Sequence, residues 1–200
     1  MVETQQRLGK SPWKAARHGT NPHFLFNALN SIEALSRRAP ERIPELVRGL
    51  AKYLRYCLQP AEDGWVRLEE ELDALEAYLS VEKVRFEDQF QVELDIAEDA
   101  RSQRVPQFIL QPLVESVLRE GIGAVPTPLR VVLGCRCVDH WLRVEVGNTG
   151  VGSGRAMVRG GGLEELVRRL DLLYQKDGYH WALRETPDWV AISMDIPLEP

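Results

Sequence analysis

Three separated stretches carry residues whose types and spacing could do chemistry. His23 directly follows Pro22 and opens an apolar-periodic run, so it falls at the exposed start of a helix, where the fixed φ of proline suits the first turn. A neutral imidazole there is a competent nucleophile toward phosphorus, and a plain surface histidine is the bland alternative. In the second stretch Glu115, Ser116, Arg119 and Glu120 punctuate an apolar run that begins at Leu110. Steps of three to four residues bring Glu115 and Ser116 near Arg119 and Glu120 on a helix, which by spacing alone is an ordinary amphipathic helix. The third stretch holds Asn148-Thr-Gly-Val-Gly152, then Gly160-Gly-Gly-Leu163 at the start of another helical run. Glycines ahead of a helix let backbone N–H groups approach an anion, and the helix N-terminus adds positive potential. That is the pattern of a phosphate site, with a surface loop as the alternative. Cys135, Cys137 and His140 have metal-like spacing, but a zinc site needs four ligands or three plus an open position. Alternation over 133–138 puts both thiols on one face of a strand, as small buried side chains.

The elements that position these groups divide the chain in two. Apolar residues at steps of three and four predict helices over 24–38, with Leu25, Ala28, Leu29, Ile32 and Leu35 inward, over 45–58, and over 68–85. Pro40, Pro44, Pro60 and Gly64 separate them. No strand is expected before residue 88. Beyond it, alternation predicts a strand over 90–96, a helix over 108–118, and a hairpin over 129–146 turning at Asp139-His140. A glycine-rich stretch over 147–162, a helix over 163–174, and strands over 179–185 and 189–196 complete the chain. The fold class is therefore α+β, with a helical hairpin module followed by an α/β sandwich. The 200 residues suffice for one domain or two small ones, and 44% hydrophobic with 28% charged residues is ordinary for a globular chain. A net charge of −5 argues against a basic surface for direct nucleic-acid binding. No apolar run approaches the roughly 20 residues of a membrane span, and the N-terminus lacks a signal-peptide core. Three cysteines give no disulfide framework, so a cytoplasmic location is expected.

Taken together and in order, these stretches resemble the LytS/YehU-type sensor histidine kinases, from about Asn21 to the C-terminus. Asn21-Pro-His-Phe-Leu-Phe-Asn27 matches that family's phosphoacceptor signature. Leu54-Arg-Tyr56, Leu68-Glu-Glu-Glu-Leu72, Tyr78-Leu79 and Glu82-Lys-Val-Arg-Phe86 match the segments that follow it. Pro106 to Val114, with Leu110-Gln-Pro-Leu-Val, matches the run into the family's N box, and Gly160 to Leu170 looks like its second glycine box and helix. The resemblance implies a lead-in over 1–20, a phosphoacceptor and dimerisation region over 21–88, and a GHKL (Bergerat-type) ATP-binding domain over 89–200. It implies ATP with Mg²⁺ as cofactors and His23 as the group that accepts the γ-phosphoryl. Glu115 is implied as catalytic, and Ser116, Arg119, Asn148, Gly150, Gly152, Gly160, Gly162 and Leu163 as nucleotide-binding. The implied partners are a second copy of the chain and a response regulator, often of the LytTR type, and many members have a membrane-anchored sensor region.

This chain departs from the family at the implied nucleotide site. Ser116 stands where the N box has the Asn that ligates Mg²⁺, Arg119 where it has Lys, and Glu120 where it has His. Asn148 stands where the first glycine box has Asp. Serine reaches less far than asparagine, and Mg²⁺ demands near-octahedral geometry, so a water must fill the gap. The functional expectation is an ATP-dependent histidine kinase. The alternative is a pseudokinase acting as a dimeric scaffold.

Overall fold

The computed structural model describes residues 22–59, 61, 63–124, 128–149, 162–175 and 178–198. The 1–20 lead-in and Gly150, Gly152 and Gly160 lie outside these residues. Helix α1 (Pro22–Arg38) starts on a proline and ends on Arg37 and Arg38, cations that suit its carbonyl end. A single 3₁₀ turn follows, then α2 (Ile43–Leu58), with Pro44 in its first turn. Helix α3 (Leu68–Phe86) is buried almost all round, because α1 and α2 cover one side and a later helix, α5 (Leu110–Gly121), the other. Leu68, Leu72, Leu75 and Leu79 of α3 are inside, joined by Ala74, Ala77, Val81 and Val84. Gly49 allows the close approach of α2, since a Cβ there would lie 2.3 Å from Ser80 Oγ. On α1, Ala28 and Leu35 are buried as expected, but Leu29 is 57% exposed and Phe24 takes the inward position.

The second half is a five-stranded sheet covered on one face by helices. Its strands are β2 (Phe90–Ile96), β4 (Leu129–Val138), β5 (Trp141–Thr149), β6 (His180–Glu185) and β7 (Trp189–Pro197), in the order β2-β4-β5-β7-β6. Only β2 and β4 run parallel. The hairpin turns at Asp139 and His140 as expected, with Asp139 at φ 54°, a left-handed position that aspartate tolerates. Helices α5 (Leu110–Gly121) and α6 (Gly162–Tyr174) pack against each other, and α5 packs on the sheet. Alternation buries Val131, Leu133 and Cys135 of β4, Leu142, Val144 and Val146 of β5, and Val190, Ile192, Met194 and Ile196 of β7. Cys135 is one of the buried thiols expected, and burial pushes it up to about 12.

Three short elements escape the sequence pattern. Strand β1 (Trp65–Arg67) pairs antiparallel with β3 (Arg104–Pro106), so a strand does stand before residue 88. A one-turn helix, α4 (Glu98–Arg101), lies between β2 and β3. Three residues are too few to display alternation, and the β1–β3 pair exists only through a partner about forty residues away. One contiguous hydrophobic cluster runs from Phe24 to Ile196, through the helical half and the sheet. No helix among the described residues is long and apolar enough to cross a membrane.

Candidate functional site

His23 lies in the first turn of α1 and is exposed. The next residue, Phe24, plugs into the core against Tyr53 of α2 and Tyr78 of α3, each ring centroid 4.9 Å away. This aromatic trio fixes the first turn of α1 and so the direction in which the imidazole can point. One turn on, Asn27 Nδ2 lies 3.2 Å from His23 Nδ1 and 3.4 Å from Nε2. His23, Phe24 and Asn27 line a cavity of about 310 Å³ with Tyr78, Glu82 and Arg85 of α3 and Glu115, Leu118 and Arg119 of α5. The structure thus brings the first two chemical stretches together. His23 shares a space with Glu115 and Arg119, and Arg119 is paired with Glu120 at 3.1 Å.

Ser116, on the same helix, is buried and does not line that cavity. Asn148 belongs to the buried face of the sheet: it is the last residue but one of β5, between Val131 and Val190, in an otherwise apolar row. The C-terminal end of α5 reaches over it, and Gly121 makes room, since a Cβ there would lie 3.2 Å from Asn148 Nδ2. Asn148 Nδ2 donates to the Thr149 carbonyl at 3.3 Å, while Oδ1 is buried with no hydrogen-bond partner among the described residues. A buried acceptor without a donor costs about 1–3 kcal/mol, so its retention calls for a donor from outside the described residues. The exocyclic amine of adenine fits that requirement. Gly162 begins α6, where a Cβ would lie 3.2 Å from Pro112 of α5, and Leu163 is fully buried. Among the described residues no group of three His, Cys, Asp or Glu side chains could hold a metal, so a cation there would depend on the phosphates of a nucleotide and on Ser116.

Sequence reasoning assigned no role to three charged residues that the structure makes central. Glu71, 2% exposed, directs both oxygens at the start of α5. Oε1 accepts from the Phe108 N–H at 2.5 Å and from the Tyr56 hydroxyl, and Oε2 accepts from Ile109 and Leu110 N–H at 2.9 and 3.1 Å. Arg169 of α6 donates to the Phe108 carbonyl at 2.9 Å. The detectable signal was at α5 itself: Ile109, its N-cap, offers no side-chain acceptor to the orphan N–H groups, which must find one elsewhere.

The third residue is Glu82, 4% exposed in the cavity beside His23 and paired with Arg85 at 3.2 Å. Burial pushes its carboxyl up, Arg85 draws it down, Glu115 pushes it up again, and the net direction is up. A carboxyl raised on folding keeps its proton to higher pH in the folded state than in the unfolded chain. Its contribution to stability is therefore full below the ordinary value of about 4.3 and is lost as pH rises through the raised folded value. In urea unfolding between pH 4 and 8, the stability of Glu82→Gln should decline less with rising pH than that of the unaltered protein. Parallel profiles would show that Glu82 ionises no differently on folding.

Residues 12–90 match the histidine kinase family. Sensor protein LytS of Enterococcus faecalis is 32% identical over 212 residues, which cover 99% of this chain and 36% of that protein. Sensor histidine kinase BtsS of Escherichia coli is 33% identical over 193 residues, covering 95% of this chain and 34% of that one. The histidine kinase domain of the blue-light activated kinase EL346 from Erythrobacter litoralis superposes with a TM-score of 0.51 at 18% identity, over 92% of each chain, a likeness of fold. The catalytic domain of histidine kinase ThkA superposes at 0.50, over 66% of this chain and 93% of that one. The chain spans about a third of the length of the curated relatives it matches. Nothing in these relatives favours the scaffold alternative. With the His23 signature on α1, helices leading into an α/β sheet, and LytS relatives aligned along nearly its whole length, the chain is similar to the LytS-type sensor histidine kinases over about a third of their length.

Proposed function

We propose that this chain is the phosphoryl-transferring part of a two-component sensor kinase, with residues 21–88 as the phosphoacceptor and dimerisation region and 89–200 as the ATP-binding region. The supporting observation is the cavity that places the exposed His23 opposite Glu115 and Arg119 of the N-box helix within one chain. Bound ATP would supply the γ-phosphoryl group, with Mg²⁺ neutralising its charge. Asn148 holds the adenine amine at Oδ1, Ser116 offers its hydroxyl toward the cation through a water, and Arg119 adds positive charge. Gly150, Gly152, Gly160 and Gly162 let the backbone approach the phosphates, and Leu163 seats the start of α6. His23 accepts the phosphoryl group, Asn27 orients its ring, and Glu115 supplies a carboxylate in the same cavity. An aspartate of a response regulator, of the LytTR class, would receive the group next. Phe26 and Leu29, 66% and 57% exposed on α1, support pairing of two copies through the histidine-bearing helices. The sensor region of such a kinase would be membrane-anchored, with this part in the cytoplasm.

Incubation with γ-labelled ATP and Mg²⁺ should give an acid-labile, base-stable label on the protein. No label under saturating nucleotide would overturn the reading. The N-box departures give a second expectation. Glu120 neutralises Arg119 at 3.1 Å, and Ser116 is one heavy atom short of an asparagine amide. Replacing Ser116 with Asn and Glu120 with His should tighten Mg²⁺–nucleotide binding about tenfold, or ~1.4 kcal/mol, by titration calorimetry. Unchanged affinity would mean that the cation is held by other groups.

A further inference from the structure

The start of α5 is held from three directions at one residue. Phe108 has φ 63°, a left-handed conformation that costs a non-glycine residue on the order of 1–3 kcal/mol. Its N–H goes to Glu71 of α3, its carbonyl to Arg169 of α6, and its ring packs edge-on against Tyr56 of α2 at 5.3 Å. Tyr56 also donates to Glu71, so all four residues form one network around the buried Glu71. Helix α6 is consequently docked on the N-terminal end of α5 at two places, through Gly162 against Pro112 and through Arg169 on Phe108. Position 162 is also where the glycine-rich stretch ends and α6 begins. A helix start offers its own first free N–H groups to an anion, so where α6 begins decides where those groups can face a phosphate.

We propose that Glu71 is a positioning residue of the nucleotide site: by holding Phe108 in its left-handed conformation it presents the Phe108 carbonyl to Arg169, and so sets α6 against α5 at the spacing that a triphosphate requires. This rests on the nucleotide reading above and extends it, because Glu71 is enclosed and reaches the phosphates only through Phe108 and Arg169. The network also ties nucleotide seating to α2 and α3, the helices behind His23. A change of helix packing in the phosphoacceptor half is thereby transmitted to the nucleotide.

Glu71→Gln keeps the shape of the side chain but turns an amide donor toward donors that Glu71 accepts. The affinity for a fluorescent ADP analogue, measured well below the melting temperature of each variant, should fall at least tenfold in Glu71→Gln. Arg169→Lys, which keeps the charge but loses the guanidinium reach to Phe108, should fall in the same direction. The double variant should bind no more weakly than the weaker single, because both act through Phe108. A lowered melting temperature with unchanged affinity in Glu71→Gln would make the network merely structural. Multiplying fold-changes in the double variant would also overturn the proposal. Where Glu71→Gln does not fold, Arg169→Lys alone decides, and unchanged affinity there sinks the inference. Failure of the unaltered protein to bind nucleotide would instead sink the nucleotide reading, and this inference with it.

Discussion

His23→Gln should abolish the acid-labile label while leaving the fold and nucleotide affinity intact. The imidazole is exposed, and the first turn is fixed by the neighbouring Phe24, which packs against Tyr53 and Tyr78. Surface substitutions away from such anchors shift stability by no more than about 0.5 kcal/mol. Glutamine fills similar space and can still meet the Asn27 amide, but its own amide nitrogen has no available lone pair to attack phosphorus. The loss of label should therefore be complete. His140, in the β4–β5 turn, and His180, on β6 beside Trp141, are the other described imidazoles, and neither lines the cavity at α5. Label surviving in His23→Gln, with the same acid lability, would move the acceptor to another of the chain's histidines, His18, His140 or His180, and break the link between α1 and the N-box helix.

What could be read beforehand followed how local each determinant is. The helices of the first half and the β4–β5 hairpin announce themselves by period and by turn residues, because their cores are built from neighbours three, four or two positions apart. The exposed histidine at the start of α1 was legible for the same reason: a proline, a helix start and a short signature lie in one stretch. Glu71 was not. It sits in a run of three glutamates at the start of α3, where acidic residues are favoured by the helix end alone, and composition does not reveal which of the three points inward. Its burial is decided by α5, about forty residues later, whose uncapped N–H groups need an acceptor. Leu29 fails in the opposite sense: its spacing belongs to the buried stripe, but the stripe is wider than the surface that α2 and α3 cover. Asn148 was expected in a glycine loop, and it instead closes the core-facing row of β5. That placement turns an expected loop acceptor into a buried one.

The placement of Asn148 gives the second large effect. Between Val131 and Val190 a leucine is the better core residue: it has the same number and branching of side-chain heavy atoms as asparagine and carries no polar atom. Asn148→Leu removes the unpartnered Oδ1, a gain of about 1–3 kcal/mol, and forfeits the 3.3 Å bond to the Thr149 carbonyl, a loss of about 0.5–1.5 kcal/mol. The balance is a stabilisation of about 1 kcal/mol, equivalent to ~2–4 °C in melting temperature for a chain of this size. Nucleotide binding should move the other way. An adenine amine that loses its acceptor enters a buried site unpaired, at about 1–3 kcal/mol, which is roughly five- to 150-fold in affinity. The opposed signs make the test sharp, because a variant that simply damages the fold loses both quantities together. Thermal unfolding and titration with a fluorescent ADP analogue on the same sample read both. A less stable Asn148→Leu that binds nucleotide as before would mean that the asparagine is satisfied within the fold and that the base is recognised elsewhere.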